Sequence, residues 1–185
     1  MRQPRAEGSN AAFLAGLMAA GLAIAVYLQA RRGDDRPARI TLVDRDVDRL
    51  RMCRTVLTGV PAGRMVRHYV VSDDAAHNDD VVAAAAPGSL IINATGLGKD
   101  QPGSPLTDAV RFPAGAVVWE LNYRGELEFL RQARAQQDEL GLRVADGWRY
   151  FVVGWAAVIE EVFRRPISAA EIDRLSELAA SARTD

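Results

Sequence analysis

The chain has 185 residues, of which 49% are hydrophobic and 25% charged, the size and composition of one globular domain; wholesale disorder, collagen-like repeats and a disulfide scaffold are excluded. With 23 Lys and Arg against 24 Asp and Glu, the net charge is −1, and no basic stripe supplies an electrostatic footprint for nucleic acid. The single cysteine, Cys53, excludes intramolecular disulfides and cysteine-built zinc sites, and fits a reducing cytoplasm.

Residues 1–10 are expected to be a disordered N-terminus. The run from Ala12 to Leu28 is 17 residues long, its only polar side-chain group is the Tyr27 hydroxyl, and it is flanked by Arg2, Arg5, Arg31 and Arg32. It has two readings. As a transmembrane helix over residues 12–28 it would anchor an α/β module without catalytic duty. As the first strand, tight turn and first helix of a dinucleotide-binding fold it would be buried throughout, which fuses both elements into one apolar stretch. Gly16, Gly21 and the many alanines favour the second.

After a turn-rich loop, Arg39 to Asp44 is a β-branched apolar stretch ending in a carboxylate, a buried strand. Asp46 then stands where a helix cap belongs, before apolar positions Val47, Leu50, Cys53 and Leu57 at helical spacing. Further along, a short strand at His68 to Val71, an acidic turn at Asp73 and Asp74, and an alanine-rich helix from about Asp79 to Ala86 lead to Pro87 and Gly88. Strand four reads Ser89 to Asn93 and strand five Gly115 to Leu121; a helix with Leu127, Leu130, Ala133 and Leu140 on one face follows, then a strand at Leu142 to Ala145. Strands alternating with single helices are the signature of a doubly wound parallel sheet. Two helices complete the chain, one with Trp148, Phe151, Val152, Trp155, Ile159 and Val162 toward one side, the other opened by the capping box Ser168-Ala169-Ala170-Glu171. The expected class is therefore α/β, a Rossmann-like doubly wound parallel sheet over residues 11–163 with two C-terminal helices, the last within 164–185.

Ligands of such sheets bind at the carboxyl ends of the strands. Gly16 and Gly21 bracket the first turn, where backbone N–H groups can approach a pyrophosphate; simple packing is the alternative for two glycines in an alanine-rich run. Asp44 lies 23 residues beyond Gly21, close to the spacing of about 20 at which a carboxylate accepts from an adenine ribose. It would repel a 2′-phosphate. Alternatively, Asp44 and Asp46 only cap the next helix. Arg45 adds a guanidinium able to stack on adenine or to pair with the extra phosphate of NADP.

At the fourth and fifth strand ends stand Asn93-Ala94-Thr95-Gly96-Leu97-Gly98 and Glu120-Leu121-Asn122-Tyr123-Arg124-Gly125, followed by Asp146-Gly147. In order and spacing these resemble the C-terminal cofactor domain of the shikimate and quinate dehydrogenases, whose strand four ends in Asn-Ala-Thr-Pro-x-Gly, whose strand five ends in Asp-x-x-Tyr-x-Pro, and whose return helix opens with Asp-Gly. The resemblance covers about residues 11–163. It implies an NAD(P)-dependent oxidoreductase of aromatic amino acid biosynthesis, interconverting 3-dehydroshikimate and shikimate or a related cyclic hydroxy acid. It places Asn93, Thr95 and Gly96 near the nicotinamide ribose and Tyr123 beside both nicotinamide and substrate. Asp44 falls where NADP-using members have the Asn of an Asn-Arg-Thr triplet, which favours NAD. Met18 and Ala19 stand in place of two glycines of the family's phosphate turn, and Gly154 and Trp155 in place of its substrate-binding glutamine and glycine. The family's catalytic lysine and aspartate belong to an N-terminal substrate domain, for which about ten residues leave no room. No catalytic residue is therefore assigned, and the chain is expected to be inactive alone. The apolar helix face from Trp148 to Phe163 is expected to meet a substrate-domain partner chain or a second copy.

Other candidates point away from chemistry. His68 and His77 have no second ligand at useful spacing, so no metal is expected. Lys99 and Asp100 read as solvated charges after the fourth strand, and Cys53 as a core residue.

Overall fold

The computed structural model describes residues 10–14, 19–99 and 101–180. The apolar N-terminal run divides into a strand, β1 (Asn10–Leu14), and a helix, α1 (Ala19–Ala30). Both flanks of β1 are paired: Phe13 registers with Leu42 on one side and with Ile92 on the other. A single transmembrane helix over residues 12–28 is thereby overturned, because residues 10–14 are the centre of a sheet. Among the described residues no helix is long and apolar enough to cross a membrane. The disordered N-terminus expected at residues 1–10 lies outside the described residues except for Asn10, which opens β1.

The remaining elements are β2 (Arg39–Asp44), α2 (Val47–Thr58), β3 (Val66–Val71), α3 (Ala75–Ala83), β4 (Leu90–Asn93), β5 (Val117–Glu120), α4 (Glu128–Arg134), α5 (Gln137–Leu140), β6 (Arg143–Ala145), α6 (Trp148–Phe163) and α7 (Ala169–Ala180). All six strands are parallel, in the order β3-β2-β1-β4-β5-β6. Chain order reverses between β1 and β4, which places the ligand crevice of a doubly wound sheet at their carboxyl ends.

Alternating side chains send successive residues to opposite faces, and each face has its own core. Ile40, Leu42 and Ile92 pack with Ala25 of α1 and with Leu50, Cys53 and Leu57 of α2. Val43, Ile91 and Val118 pack on the other face with Val82, Phe112, Phe129 and Leu142; the Phe112 and Phe129 rings meet edge to face at 5.9 Å. The buried Gln29 joins α1 to the end of α2, its Nε2 donating to the Leu57 carbonyl and to the Val60 carbonyl just beyond the helix.

Local expectations fail where side chains from elsewhere intervene. The acidic turn is itself a cap: Asp74 accepts from the Ala76 N–H at 2.9 Å, so α3 starts at Ala75 rather than near Asp79, and His77 lies within it. β3 starts at Val66, two residues before His68, through pairing with β2. The helix expected to carry Leu127, Leu130, Ala133 and Leu140 is broken into α4 and α5. Between them Gln136 turns onto the segment before β5, donating to the Val110 carbonyl and accepting from the Phe112 N–H. Val47, counted with the core of α2, is 42% exposed in its first turn. The capping box forms as read, Glu171 accepting from the Ser168 N–H and Ser168 Oγ from the Glu171 N–H. On α6 only Val152 and Ala156 are buried; of its expected apolar side, Trp155, Ile159 and Val162 are exposed.

Candidate functional site

The two aspartates after β2 have different tasks. Asp46 caps α2, accepting from the backbone N–H groups of Asp48 at 2.8 Å and Arg49 at 3.2 Å, and these bonds hold its carboxyl below the ordinary value. Asp44 is 1% exposed. It accepts from the Asp46 N–H at 2.8 Å and lies 3.6 Å from Arg49 Nε, which is 3.3 Å from Asp46. Capping therefore falls to Asp46, while Asp44 stiffens the turn and orients Arg49.

The ends of β4 and β5 are locked to each other. Asn93 is fully buried; its Nδ2 donates to Glu120 at 2.6 Å, while its Oδ1 accepts from the Thr95 N–H at 3.0 Å and the Thr95 hydroxyl at 2.8 Å. Thr95 Oγ1 in turn accepts from the Leu97 N–H at 3.1 Å. Glu120, also fully buried, accepts from the Asn122 N–H at 2.8 Å, and Asn122 Nδ2 donates to the Leu97 carbonyl at 3.0 Å. Burial outweighs these donors and pushes the Glu120 carboxyl up to about 7. Gly96 follows at φ +79, and a Cβ built there meets nothing within 4 Å; the loop backbone is open to a ligand.

One cavity of about 190 Å³ lies along this carboxyl edge. Arg45 lines it from the end of β2, Arg49 from the first turn of α2, Ser72 and Asp73 from the end of β3, Asn78 from α3, and Thr95 and Leu97 from the end of β4. The structure thus unites Arg45 with Thr95. Tyr123 stands apart, half-buried beyond β5, stacked on Phe151 of α6 at 4.1 Å with Lys99 Nζ 5.9 Å from its ring centre. Trp148 lies 6.0 Å from Tyr123 and anchors α6 to α7, its Nε1 donating to Ser176 at 2.9 Å. Gly16 lies outside the described residues, whereas Gly21 is buried in α1. His68 and His77 are exposed on β3 and α3, and among the described residues no three His, Cys, Asp or Glu side chains gather to hold a metal. Cys53 is fully buried, and burial raises its thiol.

Sequence reasoning missed Arg49, Asn78, Glu120 and Asn122 as contributors. Arg49 has a local signal, its i,i+3 spacing from Asp46; the other three depend on contacts across 25 to 27 residues.

A parallel sheet of this order, with a polar cavity at its switch point, defines a Rossmann-type domain. Its likeness is to the shikimate dehydrogenases, as the strand-end motifs indicate. The solved shikimate 5-dehydrogenase from Listeria monocytogenes, in complex with shikimate and NAD, superposes over 93% of this chain and 55% of its own, with a TM-score of 0.64 and 15% identity. A curated shikimate dehydrogenase (NADP(+)) from Streptococcus gordonii is 37% identical over 86 residues, 46% of this chain and 27% of its own length. The exodeoxyribonuclease 7 large subunit of Sodalis glossinidius is 29% identical over 121 residues, 64% of this chain and 25% of its own length. No protein-family model matches the sequence. The chain spans just over half of the Listeria structure and the matched segment about a quarter of each curated relative.

Proposed function

We propose that this chain is the cofactor-binding part of a shikimate dehydrogenase-like oxidoreductase and holds a nicotinamide dinucleotide along the carboxyl edge of its sheet. The observation that carries this reading is the convergence of Arg45, Ser72 and Thr95 from three strand ends, with Arg49 from the first turn of α2, on one cavity. In this reading the adenosine end lies by Arg45 and Ser72, Gly16 and, in the first turn of α1, Gly21 serve the pyrophosphate, and Asn93, Thr95 and Gly96 hold the loop beside the nicotinamide ribose. Tyr123 stands at the nicotinamide and substrate end. When bound, nicotinamide supplies a hydride acceptor or donor for a ring hydroxyl or ketone, as in the exchange between shikimate and 3-dehydroshikimate. Because the resemblance assigns the proton-transferring lysine and aspartate to another domain, the chain alone binds cofactor without turnover.

Charge at the adenosine end favours NAD. The cavity lining carries Arg45 and Arg49 against Asp73, and Arg49 is already engaged by Asp44 and Asp46; with Arg45 then balanced by Asp73, a 2′-phosphate finds no surplus positive charge. Calorimetric titration is expected to give tighter binding of NAD than of NADP. Met18→Gly with Ala19→Gly is expected to strengthen NAD binding roughly tenfold, about 1.4 kcal/mol, since the resemblance has glycines of its phosphate turn at these two positions. Tighter NADP binding would reverse the preference for NAD, and no binding of either at millimolar concentration would remove the cofactor reading.

The face of α6 that carries Trp155, Val158, Val162 and Phe163, 50% to 72% exposed, supports a further part of the proposal. It is the surface for a substrate-domain partner or a second copy. Sedimentation of the chain alone is expected to show self-association, abolished by Val162→Lys with Phe163→Lys; a monomer at high concentration would leave the face to a partner chain.

A further inference from the structure

The cavity by the adenosine end has one wall whose chemistry is incomplete. Asn78, on the second turn of α3, is 7% exposed and lines the cavity together with Val43, Leu97 and Pro105. Its Nδ2 donates to the Pro105 carbonyl at 2.9 Å. That bond fixes which way the amide faces, since the reversed amide would set its oxygen against the Pro105 carbonyl oxygen. Held in this orientation, Oδ1 is buried and has no hydrogen-bond partner. A buried acceptor left unsatisfied costs on the order of 1–3 kcal/mol, and the surrounding wall offers apolar surface in place of a donor.

We propose that Asn78 Oδ1 is the acceptor that reads the exocyclic amino group of the adenine ring, making this cavity selective for adenine over 6-oxopurines. Three features support the assignment. The cavity, at about 190 Å³, suits one ring system and not a whole dinucleotide, for which sites of roughly 300 Å³ and more are usual. Its apolar side, Val43, Leu97 and Pro105, is the kind of surface on which a flat ring packs. Its polar side, Arg45, Arg49, Ser72 and Asp73, lies at the ends of β2 and β3 and in the first turn of α2, and faces the sugar and phosphate that such a ring carries. A ring amino group donates to Oδ1 and relieves the unsatisfied acceptor. A 6-oxo group sets oxygen against oxygen.

This inference rests on the dinucleotide reading, and the experiment separates the two. NAD and nicotinamide hypoxanthine dinucleotide, which differ by the 6-amino and 6-oxo groups, are titrated calorimetrically into the full chain and into Asn78→Leu. The unsubstituted chain is expected to bind NAD about tenfold tighter, the worth of one hydrogen bond near 1.4 kcal/mol. In Asn78→Leu the two affinities converge, whatever their absolute level. Equal binding of both by the unsubstituted chain, or a preference that survives in Asn78→Leu, overturns the role of Asn78 while leaving the dinucleotide site intact. No binding of either overturns both. Should Asn78→Leu not fold, the ratio measured on the unsubstituted chain decides alone.

Discussion

Gly147→Ala is expected to cost the protein more than about 3 kcal/mol, above the usual range for overpacking, because the atoms in the way are backbone. Gly147 opens α6 against the loop after β5, where its N–H donates to the Asn122 carbonyl at 3.0 Å. A Cβ built there overlaps the Leu121 carbonyl and comes within 2.9 Å of the Asn122 carbonyl carbon. Relief requires α6 to move away from β5, and that movement pulls Phe151 from Tyr123 and breaks the site as well as the packing. For a chain of this length each kcal/mol lowers the melting temperature by about 2–4 °C, so calorimetry should show a fall of roughly 10 °C. Gly154→Ala is the control. A Cβ there meets nothing within 4 Å, and alanine in mid-helix is favoured over glycine by about 1 kcal/mol, so that variant should melt at or above the unsubstituted chain. Indistinguishable melting of the two variants would show that α6 is not seated on the β5 loop.

Glu120 is expected to make stability fall as pH rises. Burial lifts its carboxyl to about 7 in the folded chain from an ordinary 4.5. The folded state therefore keeps a proton that the unfolded state has already released. The stabilisation is complete below about pH 4.5, declines as pH rises toward 7, and is lost above it. A difference of about 2.5 pH units corresponds to roughly 3 kcal/mol. Among the described residues Glu120 has no ion-pair partner; the groups that meet it are the side-chain amides of Asn93 and Asn122 and the N–H groups of Leu121 and Asn122. These donors suit the charged form, whereas the apolar surroundings suit the neutral one. Denaturation of the unsubstituted chain and of Glu120→Gln between pH 4.5 and 8 should show the slope in the first and its absence in the second. Parallel slopes would assign the pH dependence to other groups.

Much of the site was legible before the fold. The strand ends at Asp44 and Asn93 were placed by short apolar runs ending in polar residues, β5 ends at Glu120, one residue before the Leu121 read from sequence, and the resemblance in the segments after Asn93 and Glu120 agrees with the superposed dehydrogenase fold. The two aspartates after β2 could not be separated by spacing, since a cap and a ribose acceptor use the same side chain at neighbouring positions. Asp46 took the cap because its position before α2 meets two free N–H groups, and Asp44 turned inward because β2 is covered on both faces. Asn78 showed nothing in sequence: it stands just before the helix read from about Asp79, and its bond to the Pro105 carbonyl, 27 residues later, leaves no local pattern.

By itself the sequence determined the alternation of strands and helices, the cap at Ser168, and the polar residues at the ends of β2 and β4. These follow from periodicity and from hydrogen bonds within a few residues. Only the tertiary structure decided that the N-terminal apolar run is the sheet's centre, that α4 and α5 are separate, that Glu120 and Asn93 face each other, and that Trp155, Ile159 and Val162 of α6 stay exposed. Each depends on which distant surfaces cover a residue, and desolvation by a distant segment leaves no local pattern in the chain.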